Sequence, residues 1–183
     1  MRIISGKYKG RRINPPAKMP YTRPTTDIAK EGLFNIIINN LDIPSLKTLD
    51  LFGGTGSISY ELASRGAEEL TIVEKDPAMF NFIQTNIASL GIDNMKAIKM
   101  DVFTFLKQAN EKYDFIFAGP PYALKNIEDL PELIFGNELL ETEGWFVLEH
   151  TPVNDFSEHP FFRTKRNYGT TVFSIFINRN FSE

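Results

Sequence analysis

From Lys47 onward, short apolar runs alternate with stretches of helical periodicity, and this alternation is the strongest constraint on the fold. Runs of this kind predict buried strands, and the stretches between them predict helices that cross over the sheet. A crossover helix lets the two strands that it connects lie parallel, and such crossovers are right-handed. The sequence predicts strands at 48–52, 70–74, 95–100, 113–118 and 145–149, and helices at about 25–41, 57–64, 77–90, 103–110 and 127–135.

The C-terminal segment predicts a closing antiparallel pair, 161–166 and 170–178, with a turn near Asn167–Gly169. The predicted fold is therefore α/β, with a doubly wound, mostly parallel seven-stranded sheet of the Rossmann-like class. We expect residues 1–24 to form a basic arm or hairpin ahead of a domain at 25–183. In a doubly wound sheet, ligands bind beyond the carboxyl ends of the strands.

Composition excludes several kinds of site. The 183 residues include no cysteine, which rules out disulfides, thiolate metal sites and a cysteine nucleophile. Two histidines argue against a histidine-built metal centre or catalytic triad. The apolar runs are too short for a membrane span, and the basic N-terminus lacks the apolar core of a secretory signal. We expect a cytoplasmic enzyme or binding protein with no metal and no membrane partner.

Charge is distributed unevenly along the chain. Residues 1–30 hold eight basic and one acidic residue, a net charge of +7, whereas the whole chain carries −3. Clustered lysine and arginine release counterions from phosphates, so the N-terminal segment predicts a polyanion partner. Apolar residues among the charges, including Ile3, Ile4, Tyr8 and Ile13, favour an ordered hairpin over a solvated tail.

A glycine-rich turn, Asp50-Leu51-Phe52-Gly53-Gly54-Thr55-Gly56, follows the first predicted strand. Glycines there allow a tight turn and a close approach of the backbone to a ligand. The segment lacks the Gly-Lys-Ser/Thr of a phosphate-binding loop, and Ser59 stands where a dinucleotide pattern requires glycine or alanine. The alternative is a tight turn that binds no ligand. The run of conformationally permissive residues disfavours this alternative.

Two acidic residues follow the next strands. Glu74 ends the second strand, where a carboxylate can accept hydrogen bonds from both hydroxyls of a ribose. Asp101 follows the third strand, where it could accept from an adenine amino group or cap the following helix. Both roles of Asp101 stay open.

The fourth strand ends in Gly119-Pro120-Pro121-Tyr122. The prolines lack backbone donors and restrict the chain, which leaves carbonyl groups to accept from a substrate amine. Tyr122 offers a flat face on which a base could stack. A rigid turn with one aromatic residue would explain the segment in isolation, but its register with the other strand-end motifs favours a binding role.

Together these motifs resemble class I S-adenosylmethionine-dependent methyltransferases and, more narrowly, the RsmD-type 16S rRNA (guanine-N2)-methyltransferase family. The resemblance covers almost the whole chain. Besides the strand-end motifs, it rests on further blocks at 2–6, 9–12, 23–25, 31–35, 64–67 and 168–169.

The resemblance implies S-adenosyl-L-methionine as cofactor and methylation of the N2 amine of a guanine in 16S rRNA. It implies a monomer acting on free rRNA or on an assembling small ribosomal subunit. The implied cofactor-binding residues are Asp50, Phe52, Gly53, Gly54, Thr55, Gly56, Glu74, Lys75, Asp101 and Val102. The implied catalytic residues are Gly119, Pro120, Pro121 and Tyr122. The implied RNA-binding residues are Arg2, Lys7, Lys9, Arg11, Arg12, Arg23, Pro24 and Thr25.

Position 119 departs from the family pattern, which has aspartate before the two prolines. That carboxylate would accept from the target amine, so restoring it by Gly119→Asp is expected to raise the rate. The departure leaves open a non-catalytic or impaired RNA-binding homologue. A DNA adenine-N6 methyltransferase is a second alternative, because the Pro-Pro-Tyr turn suits any planar exocyclic amine. The chain is short for an enzyme with a separate DNA-recognition domain.

Overall fold

The computed structural model describes residues 1–19 and 24–180, which are organised by one seven-stranded sheet. Its helices are α1 (Asp27–Asn40), α2 (Ser57–Ser64), α3 (Pro77–Leu90), α4 (Val102–Gln108) and α5 (Asp129–Gly136). Its strands are β1 (Lys47–Leu51), β2 (Glu69–Glu74), β3 (Met95–Lys99), β4 (Tyr113–Ala118), β5 (Leu140–His150), β6 (Phe162–Tyr168) and β7 (Thr171–Ile177). Within these described ranges, no helix has both the length and the apolarity needed to cross a bilayer.

The strands are ordered β3-β2-β1-β4-β5-β7-β6. The first five are mutually parallel, β7 runs antiparallel to β5, and β6 runs antiparallel to β7. This arrangement confirms the predicted doubly wound sheet and its closing antiparallel pair. The order reverses between β1 and β4, and a crevice opens at such a reversal beyond the carboxyl ends of the strands.

Two apolar clusters cover the two faces of the sheet. Residues of α1, α2 and α3 pack on one face with alternate strand residues such as Phe115 and Phe117. Residues of α4 and α5 pack on the other face with the intervening residues, such as Leu49 and Ile116. Because successive strand side chains point to opposite faces, strands such as β2, β4 and β5 contribute residues to both clusters. The helices are thereby fixed around the carboxyl edge.

The predicted helix signals act as expected. Thr26 caps α1 by accepting from the amide of Ala29 at 3.2 Å, and Asp76 caps α3 by accepting from Met79 at 2.9 Å. Pro77 is the first residue of α3, where its missing N–H costs nothing. Gly91 ends that helix with a φ of 68°, a conformation that favours glycine.

The fifth strand is longer than the sequence predicts. It begins at Leu140 rather than 145, because Leu140 pairs with Tyr113 ahead of a register shift. The exposed polar residues at 141–143 interrupt the apolar pattern and conceal this early pairing. The shift does not displace the carboxyl end of β5, where Glu149 and His150 lie.

Candidate active site

A cavity of about 580 Å³ lies at the carboxyl edge, where the strand order reverses between β1 and β4. Of the predicted cofactor residues, its wall contains Asp50, Phe52, Gly53, Gly54, Thr55, Glu74, Lys75 and Val102. All four predicted catalytic residues line the same cavity: Gly119, Pro120, Pro121 and Tyr122. Pro24 and Thr25, which the sequence assigns to RNA, also line it. The fold therefore brings residues from five segments of the chain to one site.

The glycine turn has a shape that only glycine supports at position 56. Gly56 has a φ of 81°, and a Cβ there would lie 2.5 Å from the Tyr60 ring. Its amide donates to the Gly53 carbonyl at 2.8 Å, which closes the turn. No side chain caps α2, and its first residues Ser57 and Ile58 line the cavity. The start of α2 therefore offers backbone donors to a ligand.

Phe52 adopts a left-handed backbone conformation, with a φ of 60°. This region is uncommon for a bulky residue and carries strain. The Phe52 ring packs edge-on against Phe103 at a centroid distance of 6.4 Å, which joins the turn to α4. The strain is located where the chain leaves β1 and enters the cavity wall.

Glu74 uses both carboxylate oxygens to order the cavity wall. One oxygen accepts from the amide of Gly54 at 2.7 Å, and the other accepts from the amide of Asp76 at 2.9 Å. The side chain is buried at the end of β2. It thus connects the glycine turn after β1 to the start of α3, and its remaining lone pairs can accept ribose hydroxyls.

We expect Glu74→Ala to weaken S-adenosylmethionine binding by about 10–100-fold, because hydrogen bonds to a charged acceptor are lost. Calorimetric titration measures the change. Glu69→Ala, at the exposed start of the same strand, is the matched control and should leave the affinity unchanged. An affinity for Glu74→Ala within two-fold of wild type would remove Glu74 from the site.

The cavity is acidic. Asp50 is buried and accepts from the Ser59 hydroxyl at 2.6 Å. Burial is the main reason that the pKa of Asp50 is raised to about 7; the negative charges of Glu74 and Glu149 contribute to the rise, and the hydrogen bond from Ser59 opposes it. Three carboxylates that influence one another favour a positively charged ligand and repel a phosphate-rich one. By charge, such a wall favours a sulfonium ligand over a dinucleotide, which carries negative phosphates.

Asp101 and Lys75 lie at the margin of the site. Asp101 caps α4 by accepting from the Thr104 amide at 3.1 Å. Its other oxygen lies 4.0 Å from the exposed Lys75 ammonium. Of the pair Asp101 and Val102, it is Val102 that lines the cavity. The capping role of Asp101 is therefore observed, and its contact with adenine stays a prediction.

The Gly119–Tyr122 segment forms a turn over the cavity. Gly119 donates its amide to the Leu51 carbonyl at 3.3 Å, which ties the segment to β1. The Pro121 carbonyl already accepts from the Leu124 amide at 2.9 Å, so it is partly engaged in the turn. The Tyr122 hydroxyl lies 3.4 Å from the Thr171 hydroxyl, which fixes the ring beside β7.

Sequence reasoning missed Glu149, which lines the cavity from the end of β5. The side chain is buried, and one of its oxygens accepts from the Thr25 hydroxyl at 2.6 Å. The available signal was the one used for Glu74, an acidic residue at the end of an apolar strand. Unlike the ends of the other parallel strands, the end of the fifth strand carries no recognised motif.

The basic N-terminal residues fold back on themselves. Arg2 pairs with Arg12 in an antiparallel bridge, and the Ile3 amide donates to the Arg11 carbonyl at 3.0 Å. The predicted RNA contacts Arg2, Lys7, Lys9, Arg11 and Arg12 are all exposed. Arg23, the other basic residue predicted to contact RNA, lies outside the described residues. The division into an arm at 1–24 and a domain at 25–183 stays a prediction.

A buried ionic cluster on α1 and α2 anchors this hairpin. Glu61 accepts from the amides of Ile4 at 2.9 Å and Ser5 at 3.0 Å, and its carboxylate lies 3.7 Å from the Lys30 ammonium. Lys30 donates to the Arg2 carbonyl at 2.7 Å. Lys30 therefore has a structural role, although it is one of the eight basic residues in the segment 1–30. Nothing in the helix pattern distinguishes Lys30 or Glu61 from exposed residues.

The family described as conserved hypothetical protein 95 matches residues 1–177 of this chain. The ribosomal RNA small subunit methyltransferase D of Buchnera aphidicola is 31% identical over 98% of this chain and 93% of that protein. The Escherichia coli K12 protein of the same name is 31% identical over 87% of this chain and 79% of its own length.

Solved structures share the fold. A candidate methyltransferase from Escherichia coli, yhhF, has a TM-score of 0.86 and 26% identity over 98% of both chains. An RNA methyltransferase from Salinibacter ruber, solved with S-adenosyl-L-homocysteine, has a TM-score of 0.68 over 88% of this chain and 97% of that one. At 13% identity, the second similarity concerns the fold alone.

Proposed function

Because this chain belongs to the family described as conserved hypothetical protein 95, we propose that it methylates the N2 amine of a guanine in small-subunit rRNA. The methyl donor is S-adenosylmethionine. The observation that carries the proposal is the acidic cavity at the strand-order reversal, which the Pro-Pro-Tyr turn also lines. Two relatives that bear the rRNA methyltransferase name cover most of the chain, which favours rRNA over the DNA alternative.

The cavity suits the donor in charge and size. About 580 Å³ is in the range of small-molecule sites. The turn brings the bare backbone of Gly53 and Gly54 to the wall, where the methionine part of the donor would lie. Glu74 would accept from the ribose hydroxyls, and the apolar Val102 would contact adenine. When bound, S-adenosylmethionine supplies an electrophilic methyl group on a positively charged sulfur.

The protein contributes position and electrostatics. Tyr122 would stack on the target guanine, and the Pro120–Pro121 turn would hold the base edge against the donor side of the cavity. The target base must leave its stack to enter the cavity, as in other enzymes that modify bases. Holding the amine in line with the methyl group accounts for much of the expected rate enhancement.

The N-terminal hairpin is the proposed RNA contact. Arg2 and Arg12 are direct neighbours across the antiparallel bridge. Like charges placed opposite each other destabilise a strand pair, so their pairing suits a surface that meets phosphate. Anchoring by Glu61 fixes this surface relative to α2, whose first residues line the cavity.

The function is tested by transfer of labelled methyl from S-adenosylmethionine to small-subunit RNA that lacks the modification, supplied free or as particles. Nucleoside analysis of the product distinguishes N2-methylguanosine from N6-methyladenosine. Label recovered in guanosine supports the proposal. Label recovered in adenosine, or no label from either substrate, contradicts it.

We expect Arg11→Ala/Arg12→Ala to reduce the slope of log affinity against log salt by about 1.5, because two phosphate contacts are lost. RNA binding is measured over a salt series. Lys107→Ala/Lys112→Ala removes the same charge from exposed positions near the amino end of β4 and is the matched control. Equal slopes for the two double variants would show that the hairpin does not contact phosphate.

A further inference from the structure

We propose that Glu149 supplies the carboxylate that accepts a hydrogen bond from the target amine, in place of the one that Gly119 lacks. The inference rests on the proposed function and assigns a catalytic residue to it. It starts from an incomplete motif: Gly119 contributes no side chain to a cavity in which a planar amine must be oriented.

The strand register places Glu149 beside Gly119. β4 and β5 are parallel, and Ala118 pairs with Leu148. The next residue along the chain is Gly119 after Ala118 and Glu149 after Leu148. A Cβ built on Gly119 would lie 3.5 Å from one carboxylate oxygen of Glu149. A carboxylate absent from one strand end is therefore present on the adjacent strand, next to where the aspartate side chain would begin.

The carboxylate is held in place. Thr25, immediately before the cap of α1, donates its hydroxyl to the same Glu149 oxygen at 2.6 Å. Glu149 is buried, and both residues line the cavity with Gly119, Pro120 and Tyr122. A buried side chain with a fixed hydrogen bond is preorganised, which is the property that makes an acceptor effective in catalysis.

The chemistry balances with this residue. The Glu149 carboxylate accepts an N–H of the amine, which leaves the nitrogen lone pair to face the methyl carbon. As the nitrogen–carbon bond forms, the carbon–sulfur bond breaks and its electron pair goes to sulfur, which becomes neutral. The methylated amine carries the positive charge and releases one proton to the carboxylate, from which it passes to solvent.

Glu149 changes the expected effect of restoring the family residue. An aspartate at position 119 would place a second carboxylate beside Glu149, and two adjacent carboxylates cannot both ionise easily. A Cβ at 119 would also lie only 3.1 Å from a ring carbon of Phe117. We therefore expect Gly119→Asp alone to leave the rate equal or lower, although it completes the family motif.

The test compares single-turnover methyl transfer in wild type, Glu149→Gln, Gly119→Asp/Glu149→Gln and the matched control Gly119→Asn/Glu149→Gln. Glutamine keeps an oxygen to accept from Thr25 but loses the charge. We expect Glu149→Gln to lower the rate at saturating donor by about 100-fold with an unchanged thermal transition, and to weaken donor binding only through the loss of one cavity charge. We expect aspartate at 119, but not asparagine, to restore the rate of Glu149→Gln to within about 10-fold of wild type.

Rescue by aspartate alone supports the proposal, because a structural role for Glu149 would not respond to a charge at position 119. A Glu149→Gln rate within three-fold of wild type overturns it. A large loss that neither residue at 119 restores also overturns it. If wild type itself transfers no methyl group, the proposed function fails first, and this inference fails with it.

Discussion

Glu61→Ala is expected to lower the free energy of unfolding by about 3–5 kcal/mol. The Glu61 side chain is fully buried and compensates the ammonium of Lys30, which is also buried. Without the carboxylate, burial disfavours the charged lysine, whose pKa is already lowered mainly by desolvation. The amides of Ile4 and Ser5 would lose their acceptor as well. The substitution therefore affects both the core and the attachment of the hairpin.

Chemical denaturation of wild type, Glu61→Ala and Glu68→Ala measures this effect. Glu68 is exposed and directly precedes β2, so its substitution should change stability little. Lys30→Met/Glu61→Gln should recover part of the loss, because it removes the buried charge and keeps an acceptor for one hairpin amide. A Glu61→Ala variant within about 1 kcal/mol of wild type would show that the cluster does not stabilise the fold.

Asp50→Asn is expected to stabilise the protein at alkaline pH, by up to about 4 kcal/mol. The folded-state pKa of Asp50 is raised to about 7, so in mildly acidic solution the folded protein holds a proton that the unfolded chain has released. The resulting stabilisation is complete below the unfolded pKa and is lost as the pH rises through about 7. Asparagine is neutral at every pH and avoids this loss.

The measurement is the difference in unfolding free energy between Asp50→Asn and wild type, from about pH 5 to about pH 8. Taking the difference cancels the opposite effect of buried His150, whose pKa is lowered by burial. The difference should grow with pH, while Asp93→Asn at an exposed position should show no trend. A difference that is constant with pH would mean that Asp50 is ionised throughout.

The stabilised variant should bind the donor less well. Ionised Asp50 contributes one of three negative charges to a cavity that we assign to a sulfonium ligand. Loss of that charge should weaken S-adenosylmethionine more than S-adenosylhomocysteine, whose sulfur is neutral. Higher stability together with weaker donor binding in this variant would show that Asp50 serves ligand binding at the expense of stability.

The sequence determined the fold class and most of the cavity wall. Apolar runs and glycine turns are local signals, and in a parallel sheet the carboxyl ends of adjacent strands meet at one edge. For this reason Asp50, Glu74 and Gly119 could be assigned to one site from three separate segments. Local chemistry also sufficed for the helix ends, as at Thr26 and Gly91.

Only the tertiary structure decided the contacts that depend on register and burial. Nothing local in the sequence shows that Glu149 lies beside Gly119, because that proximity follows from pairing between β4 and β5 thirty residues apart. Nor does it distinguish buried Lys30 from the exposed basic residues around it. Charge and residue type are properties of the sequence, whereas desolvation and cross-strand neighbours arise when distant segments pack together.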